Sequence, residues 1–276
     1  MSIRISTTAV ASFACLLALC IALVIAPGQN AIAQVKPAVS PVYTLGAIQY
    51  VEANTPSPTG EPKQLMIFVH GTPGSLTAFS RYIYDPLMQQ RFHMISVTRP
   101  GWINDNDDKV PLLKDQAAAL LSLLQRDRSG KGAILMGHSY GGPVIAKTAM
   151  QYPDLVSGLV FVATTGDPDL SGPRWYNRFA VVLPRFLLGA SLKGANAEIM
   201  PLQPQLKEML PLWEELRMPV VIVQGDADFL VNPGNADFLR RSLSNSDVTY
   251  LYREGMGHFV LWQEADLIRD TLLEKF

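Results

Sequence analysis

The stretch Ala133-Ile134-Leu135-Met136-Gly137-His138-Ser139-Tyr140-Gly141-Gly142-Pro143-Val144-Ile145-Ala146 decides the fold. Its first four residues are continuously apolar, as expected of a strand buried on both faces. Its last four open a helix, with Pro143 in the first turn, where a missing N–H is no loss. Between them lies Gly-x-Ser-x-Gly. That pattern alone is weak, because a chain of this length produces one by chance about one time in ten. Set between strand and helix, it predicts a sharp turn that projects the Ser139 hydroxyl from a strained backbone position. Flanking glycines suit such a turn, since side chains there would strike the neighbouring strand or helix. The helix N-terminus adds partial positive charge where an oxyanion would develop. Ser139 is therefore the expected nucleophile.

Outward from this turn, β-rich apolar runs recur at residues 64–70, 94–98, 158–164 and 219–224, beside the run at 132–137. Helical patterns lie between several of them. Leu113, Ala117, Leu120, Leu121 and Leu124 make one stripe, residues 144–150 suit a second helix, and Leu267, Ile268 and Leu272 mark a third within 264–275. Doubly buried strands alternating with helices predict an α/β fold, a mainly parallel sheet flanked by helices on both faces. Residues 42–51 are expected to add antiparallel edge strands, and residues 34–41 read as an extended linker. Residues 167–218 break the alternation: no β-rich run occurs, and prolines stand at 168, 173, 184, 201, 204 and 211. A structureless loop of that length is rare in a compact domain, so a small inserted helical cap is predicted. Its apolar side chains are expected to divide between core packing and ligand contact, with Trp175, Phe179 and Phe186 assigned to substrate.

At this point the chain resembles the α/β-hydrolase fold family, over nearly all of residues 34–276. The run at 65–69 ends in His70-Gly71-Thr72-Pro73-Gly74, similar to the family's His-Gly oxyanion loop. Arg99-Pro100-Gly101-Trp102 follows the next strand, as a similar turn does in many members. The resemblance implies an oxyanion hole made by the backbone N–H groups of Thr72 and Tyr140. Two fixed donors near the developing negative oxygen are what the chemistry requires.

A serine hydroxyl needs a neighbouring acceptor that titrates near neutrality, and imidazole is the usual one. The chain has 4 histidines. His70 belongs to the oxyanion loop. His138 precedes Ser139, with its side chain expected to point away from the hydroxyl, and His93 opens a strand at the opposite end. His258 remains, in the glycine-rich Gly255-Met256-Gly257-His258-Phe259, and its late position matches the family. The acid must hold the far ring nitrogen of that base. Gly225-Asp226-Ala227-Asp228 follows the last strong strand, and the family's Gly-x-x-Asp position favours Asp228. Asp226 and Asp167 are the alternatives.

Composition narrows the rest. The chain of 276 residues is 48% hydrophobic and 17% charged, with a net charge of −1, an ordinary globular balance. No Lys/Arg-rich run recommends nucleic acid as a partner. Asn104-Asp105-Asn106-Asp107-Asp108 lacks the glycine and closing glutamate of a calcium loop, and a solvated loop is expected there. Walker and dinucleotide fingerprints are missing, so neither cofactor nor metal is expected. Arg4 is the first charge before an apolar run at residues 9–26, and Ala31-Ile32-Ala33 offers a small-x-small cleavage pattern. Residues 1–33 thus read as a signal peptide cut before Gln34, which predicts a secreted or periplasmic protein. An uncleaved membrane anchor is the alternative, and a lipoprotein site at Cys20 is disfavoured by Leu19. Cys15 and Cys20 both lie in the leader, so the remainder has neither a disulfide nor a thiolate nucleophile.

These features together predict an exported serine hydrolase that cleaves a carboxylic ester or related acyl bond of a small-molecule substrate. A peptidase, a carbon–carbon hydrolase or a cofactor-free peroxidase on the same fold stays open. So does a ligand-binding protein without catalysis.

Overall fold

The computed structural model describes residues 40–57, 59–104, 109–183 and 185–276, with the backbone alone at 185 and 186. The leader lies outside the described residues, as do positions 105–108 of the acidic patch.

Eight strands form one sheet: β1 Tyr43–Leu45, β2 Ile48–Ala53, β3 Gln64–Val69, β4 Phe92–Thr98, β5 Ala133–His138, β6 Val156–Val162, β7 Val220–Gly225 and β8 Val248–Arg253. Their order is β1-β2-β4-β3-β5-β6-β7-β8. The β1–β2 and β2–β4 pairs are antiparallel, and every pair from β4 to β8 is parallel. Successive side chains of a strand alternate between faces, and the core follows that alternation. Leu65, Ile67, Val69, Leu135, Leu159, Phe161 and Ile222 pack on one face, whereas Met66, Phe68, Ile134, Met136, Val160 and Val221 pack on the other. Because both faces are buried, the strands read as unbroken apolar runs.

The first face is covered by α3 (Leu113–Leu124), α4 (Gly141–Gln151), α7 (Leu202–Met209) and α8 (Gly234–Ser242). The second is covered by α1 (Ser80–Ile83), α2 (Pro86–Arg91), α9 (Val260–Gln263) and α10 (Ala265–Lys275). Local chemistry starts these helices. Asp85 accepts from the N–H groups of Leu87 at 2.8 Å and Met88 at 3.0 Å, with Pro86 in the first turn, so a cap side chain and a pre-set φ act together.

Between β6 and β7 the chain leaves the sheet as α5 (Trp175–Val182), α6 (Arg185–Ile199, kinked at Gly189, where φ is 73°), α7 and a 3₁₀ turn, Leu210–Glu215. Trp213 fixes the end of this excursion. Its ring is buried against Phe161 and Phe238, each at 6.1 Å between centroids. No helix among the described residues is long and apolar enough to cross a membrane.

Two parts of this architecture differ from the sequence expectation. The sheet continues past 219–224 into β8, an edge strand whose side chains are half-buried rather than continuously apolar. Helices α1, α2 and α8 occupy stretches that carry no long apolar stripe. Two of them are too short for periodicity to register.

Candidate active site

The three candidate triad residues stand at one end of the parallel strands. Ser139 follows β5, Asp228 lies just beyond β7, and His258 lies just beyond β8.

Ser139 has φ 53°, a left-handed conformation that costs a non-glycine residue about 1–2 kcal/mol. Its backbone is held there from both sides. The Ser139 N–H donates to Val162 O at 3.0 Å, and Ser139 O accepts from Gly142 N–H at 3.0 Å and from Thr164 Oγ1 at 2.7 Å. Helix α4 starts immediately beneath and crosses the end of β3 so closely that a Cβ on Gly141 would lie 2.1 Å from Val69 O. Only glycine permits that approach. The serine side chain is partly accessible, whereas Tyr140 and His138 on either side are buried.

His258 and Asp228 are joined directly, Nδ1 to Oδ2, at 2.8 Å. Asp228 also accepts from the N–H groups of Leu230 and Val231, both at 2.9 Å, and from Gln224 Nε2 at 3.3 Å. Burial alone would raise the Asp228 carboxyl. The hydrogen bond and charge of His258, with the two backbone donors, outweigh it and hold the group below the usual carboxylate range. An ionised Asp228 fixes the proton of His258 on Nδ1 and leaves Nε2 as an acceptor. Among the described residues no hydrogen bond joins that Nε2 to Ser139 Oγ; in proteins without substrate such contacts are often long.

The alternative acids sit elsewhere. Asp226 is exposed and accepts from Gly255 N–H at 2.7 Å, tying down the loop that carries His258. Asp167 accepts from Asp169 N–H at 2.8 Å and shapes a turn.

His138 packs against His258, a contact that sequence reading did not assign. Its ring lies 4.8 Å from that of His258 and 5.0 Å from that of Trp262. Nε2 meets the His258 carbonyl at 3.1 Å, and since a carbonyl only accepts, that nitrogen carries the proton. Burial, helped by the neighbouring His258, pushes His138 down to about 3, so the ring is a neutral wall behind that of His258. His93 is remote, at the start of β4, bonded at 2.6 Å to Glu52, which Arg126 also holds.

The loop after β3 lies against the serine: a Cβ on Gly71 would come within 2.9 Å of Ser139 Cβ. Among the described residues, the N–H groups of Thr72 and Tyr140 donate to no protein acceptor. Beneath the loop, Arg99 is buried and nearly saturated. It donates from N to His70 Nε2 at 3.0 Å, from Nε to His70 O at 2.9 Å and from Nη2 to Gly71 O at 2.8 Å. Because His70 Nε2 accepts, its Nδ1 bears the proton and donates to Gly71 O at 2.6 Å. Burial, then the Arg99 charge, depresses His70 well below its ordinary value, which keeps this tautomer neutral. The Arg99 charge is balanced by Glu198 of α6, also buried, at 2.6 and 3.0 Å.

Of the residues assigned to substrate, Trp175 and Phe179 are exposed on α5, with Trp175 edge-on to Tyr176 at 5.8 Å. The side chain of Phe186 lies outside the described residues.

A mainly parallel sheet covered on two sides, with a strained serine at a strand–helix turn and an acid–imidazole pair at neighbouring strand ends, defines a class of protein. The chain belongs to the alpha/beta hydrolase family, whose model matches residues 66–271. It is 28% identical over 105 residues to YugF, an uncharacterized hydrolase of Bacillus subtilis, covering 38% of each chain. Over 113 residues it is 31% identical to methylesterase 9 of Arabidopsis thaliana, covering 40% of this chain and 43% of that one. The aligned stretches therefore span less than half the length of these relatives. Among solved structures, Cfl2 from Burkholderia cenocepacia superposes with a TM-score of 0.67 at 18% identity, over 85% of this chain and 94% of that one. A lipase-esterase related protein from Clostridium acetobutylicum gives 0.64 at 14% identity, over 83% and 100%. At such identities these likenesses speak to the fold.

Proposed function

We propose that the protein is an exported serine hydrolase that cleaves a carboxylic ester through an acyl-enzyme, with Ser139 as nucleophile, His258 as base and Asp228 as orienting acid. The observation that carries this reading is the 2.8 Å bond between His258 Nδ1 and Asp228. It leaves Nε2 as the free acceptor at the strand ends where Ser139 stands.

In the first step Ser139 Oγ bonds to the substrate carbonyl carbon as its proton passes to His258 Nε2. The carbonyl π pair moves onto oxygen, which the N–H groups of Thr72 and Tyr140 receive. Those donors are unspent, so no internal bond has to break when charge develops. Collapse expels the alcohol with the proton from His258. Water repeats the sequence and releases the acid.

An ester is favoured because one relative, methylesterase 9, carries an esterase name. The helical excursion between β6 and β7 is the part assigned to substrate choice, and its aromatic and aliphatic content suits an apolar acyl or alcohol portion. Export rests on residues 1–33, and the product is expected to begin at Gln34. A small-molecule ester is the partner in this reading, with no role for nucleic acid. A membrane enters only if the leader stays attached.

Labelling with a fluorophosphonate tests the site. The wild type should gain one adduct, mapped to Ser139, while Ser139→Ala gains none. An unlabelled wild type sinks the hydrolase mechanism and favours a non-catalytic binding protein. Intact mass of the exported chain tests the leader, and a mass starting at Met1 sinks cleavage.

A further inference from the structure

We propose that Glu198 is a positioning residue for the oxyanion hole, acting through Arg99 on the peptide that presents the Thr72 N–H. This rests on the serine-hydrolase reading above and assigns a further part to α6.

A peptide unit is planar and trans, so its C=O and N–H point in opposite directions. Fixing the Gly71 carbonyl therefore fixes the Thr72 N–H. Gly71 O accepts two hydrogen bonds, from Arg99 Nη2 at 2.8 Å and His70 Nδ1 at 2.6 Å. Both donors trace to Arg99, because its backbone N–H at 3.0 Å selects the His70 tautomer. Held from below in this way, the unit aims its N–H to the opposite side, and the loop lies against Ser139.

A buried guanidinium keeps such a position only if its charge is answered nearby. Glu198 answers it with both oxygens. Oε2 accepts from Arg99 Nη2 at 3.0 Å, and Oε1 accepts from Arg99 Nη1 at 2.6 Å, Trp102 Nε1 at 2.9 Å and Gln116 Nε2 at 3.0 Å. Gln116 Oε1 in turn accepts from Arg99 Nη1 at 2.6 Å. The carboxylate is delivered by α6, whereas the loop it orients belongs to the sheet. A shift of α6 would therefore reach the oxyanion donor without touching the triad.

The test is Glu198→Gln, which removes the charge at nearly constant shape, measured on p-nitrophenyl acetate and with a trifluoromethyl ketone. The ketone's adduct with Ser139 puts a full negative oxygen in the hole. Losing the aim of one donor should lower kcat about 10–100-fold, leave KM within about threefold, and weaken the ketone by the same factor as kcat. A merely structural pair would lower the melting temperature without that matched loss. Where Glu198→Gln does not fold, Arg99→Met with Glu198→Leu removes both charges together, an exchange that buried pairs often tolerate. The same matched loss is expected of it. A folded variant with wild-type kcat overturns the proposal, as does a lower kcat with unchanged ketone affinity. If the wild type neither hydrolyses esters nor takes a fluorophosphonate, the parent reading has failed. The present proposal then falls with it.

Discussion

Ser139 occupies a backbone conformation that its side chain disfavours and three hydrogen bonds enforce. Strain of this kind costs about 1–3 kcal/mol and persists where surrounding structure over-determines it. Ser139→Gly should therefore stabilise the fold by about 1 kcal/mol while abolishing fluorophosphonate labelling. A melting temperature at or below that of wild type would show that the turn stores no such strain. Asp228→Asn keeps shape but frees His258 to take the other tautomer, and kcat should fall about 10⁴-fold with folding intact. A loss under tenfold would remove Asp228 from the acid's role. At this scale the sequence was legible where a side chain sits inside a motif. Ser139 is announced by its flanking glycines, and His258 stands out as the histidine left over. His138 was not legible, because its contact with the His258 ring depends on how two strand-end loops fold over each other.

Elements were legible to the extent that burial left a mark on composition. The central strands read as apolar runs because helices cover both their faces, and α3 and α4 showed their stripes or their proline. Strand β8 is half-buried at the sheet edge, and Val248–Arg253 mixes polar and apolar side chains in consequence. Helix α8 buries Ala236 and Leu239 but carries charges across its last turn, so its pattern is short and diluted. The tightest fit between elements, α4 over the end of β3, depends on Gly141 having no side chain. Gly141→Ala would force the two apart and should cost about 1–3 kcal/mol, with labelling of Ser139 slowed as the turn shifts. Chemical denaturation checks the first part, and an unchanged midpoint would mean the helix start can move freely. Trp213→Ala, by emptying a buried aromatic site between the excursion and the sheet, should cost about 3–5 kcal/mol.

For the whole molecule, the buried histidines set the response to acid. His138 protonates near 6.5 when unfolded but not until about 3 in the fold, so between those values the unfolded chain binds more protons. Stability therefore falls as pH falls through that window, by at most about 1.4 kcal/mol per pH unit for each such group. His70, depressed by burial, acts in the same sense. The lowered Asp228 carboxyl adds a further loss below its ordinary value of 3.8. The melting temperature should decline steadily from pH 6.5 towards 4. His138→Gln, which keeps an N–H for the His258 carbonyl, should flatten that decline, and an unchanged slope would mean His138 titrates normally. Long-range pairs of this molecule were the part hidden from sequence reading. Arg99 was noticed as part of a turn, but its partner Glu198 lies 99 residues away, and no local pattern links them.

The chain departs from the sheet after β6 and returns at β7. Its intervening helices are thus suspended from a slot between the strand that supplies Ser139 and the two that supply Asp228 and His258. Material added to or trimmed from that slot leaves every strand in its own register. On the proposed reading the attacking groups belong to the sheet and the choice of substrate to the excursion, with Glu198 tying the second to the first. A remodelled excursion would have to keep that one carboxylate in place.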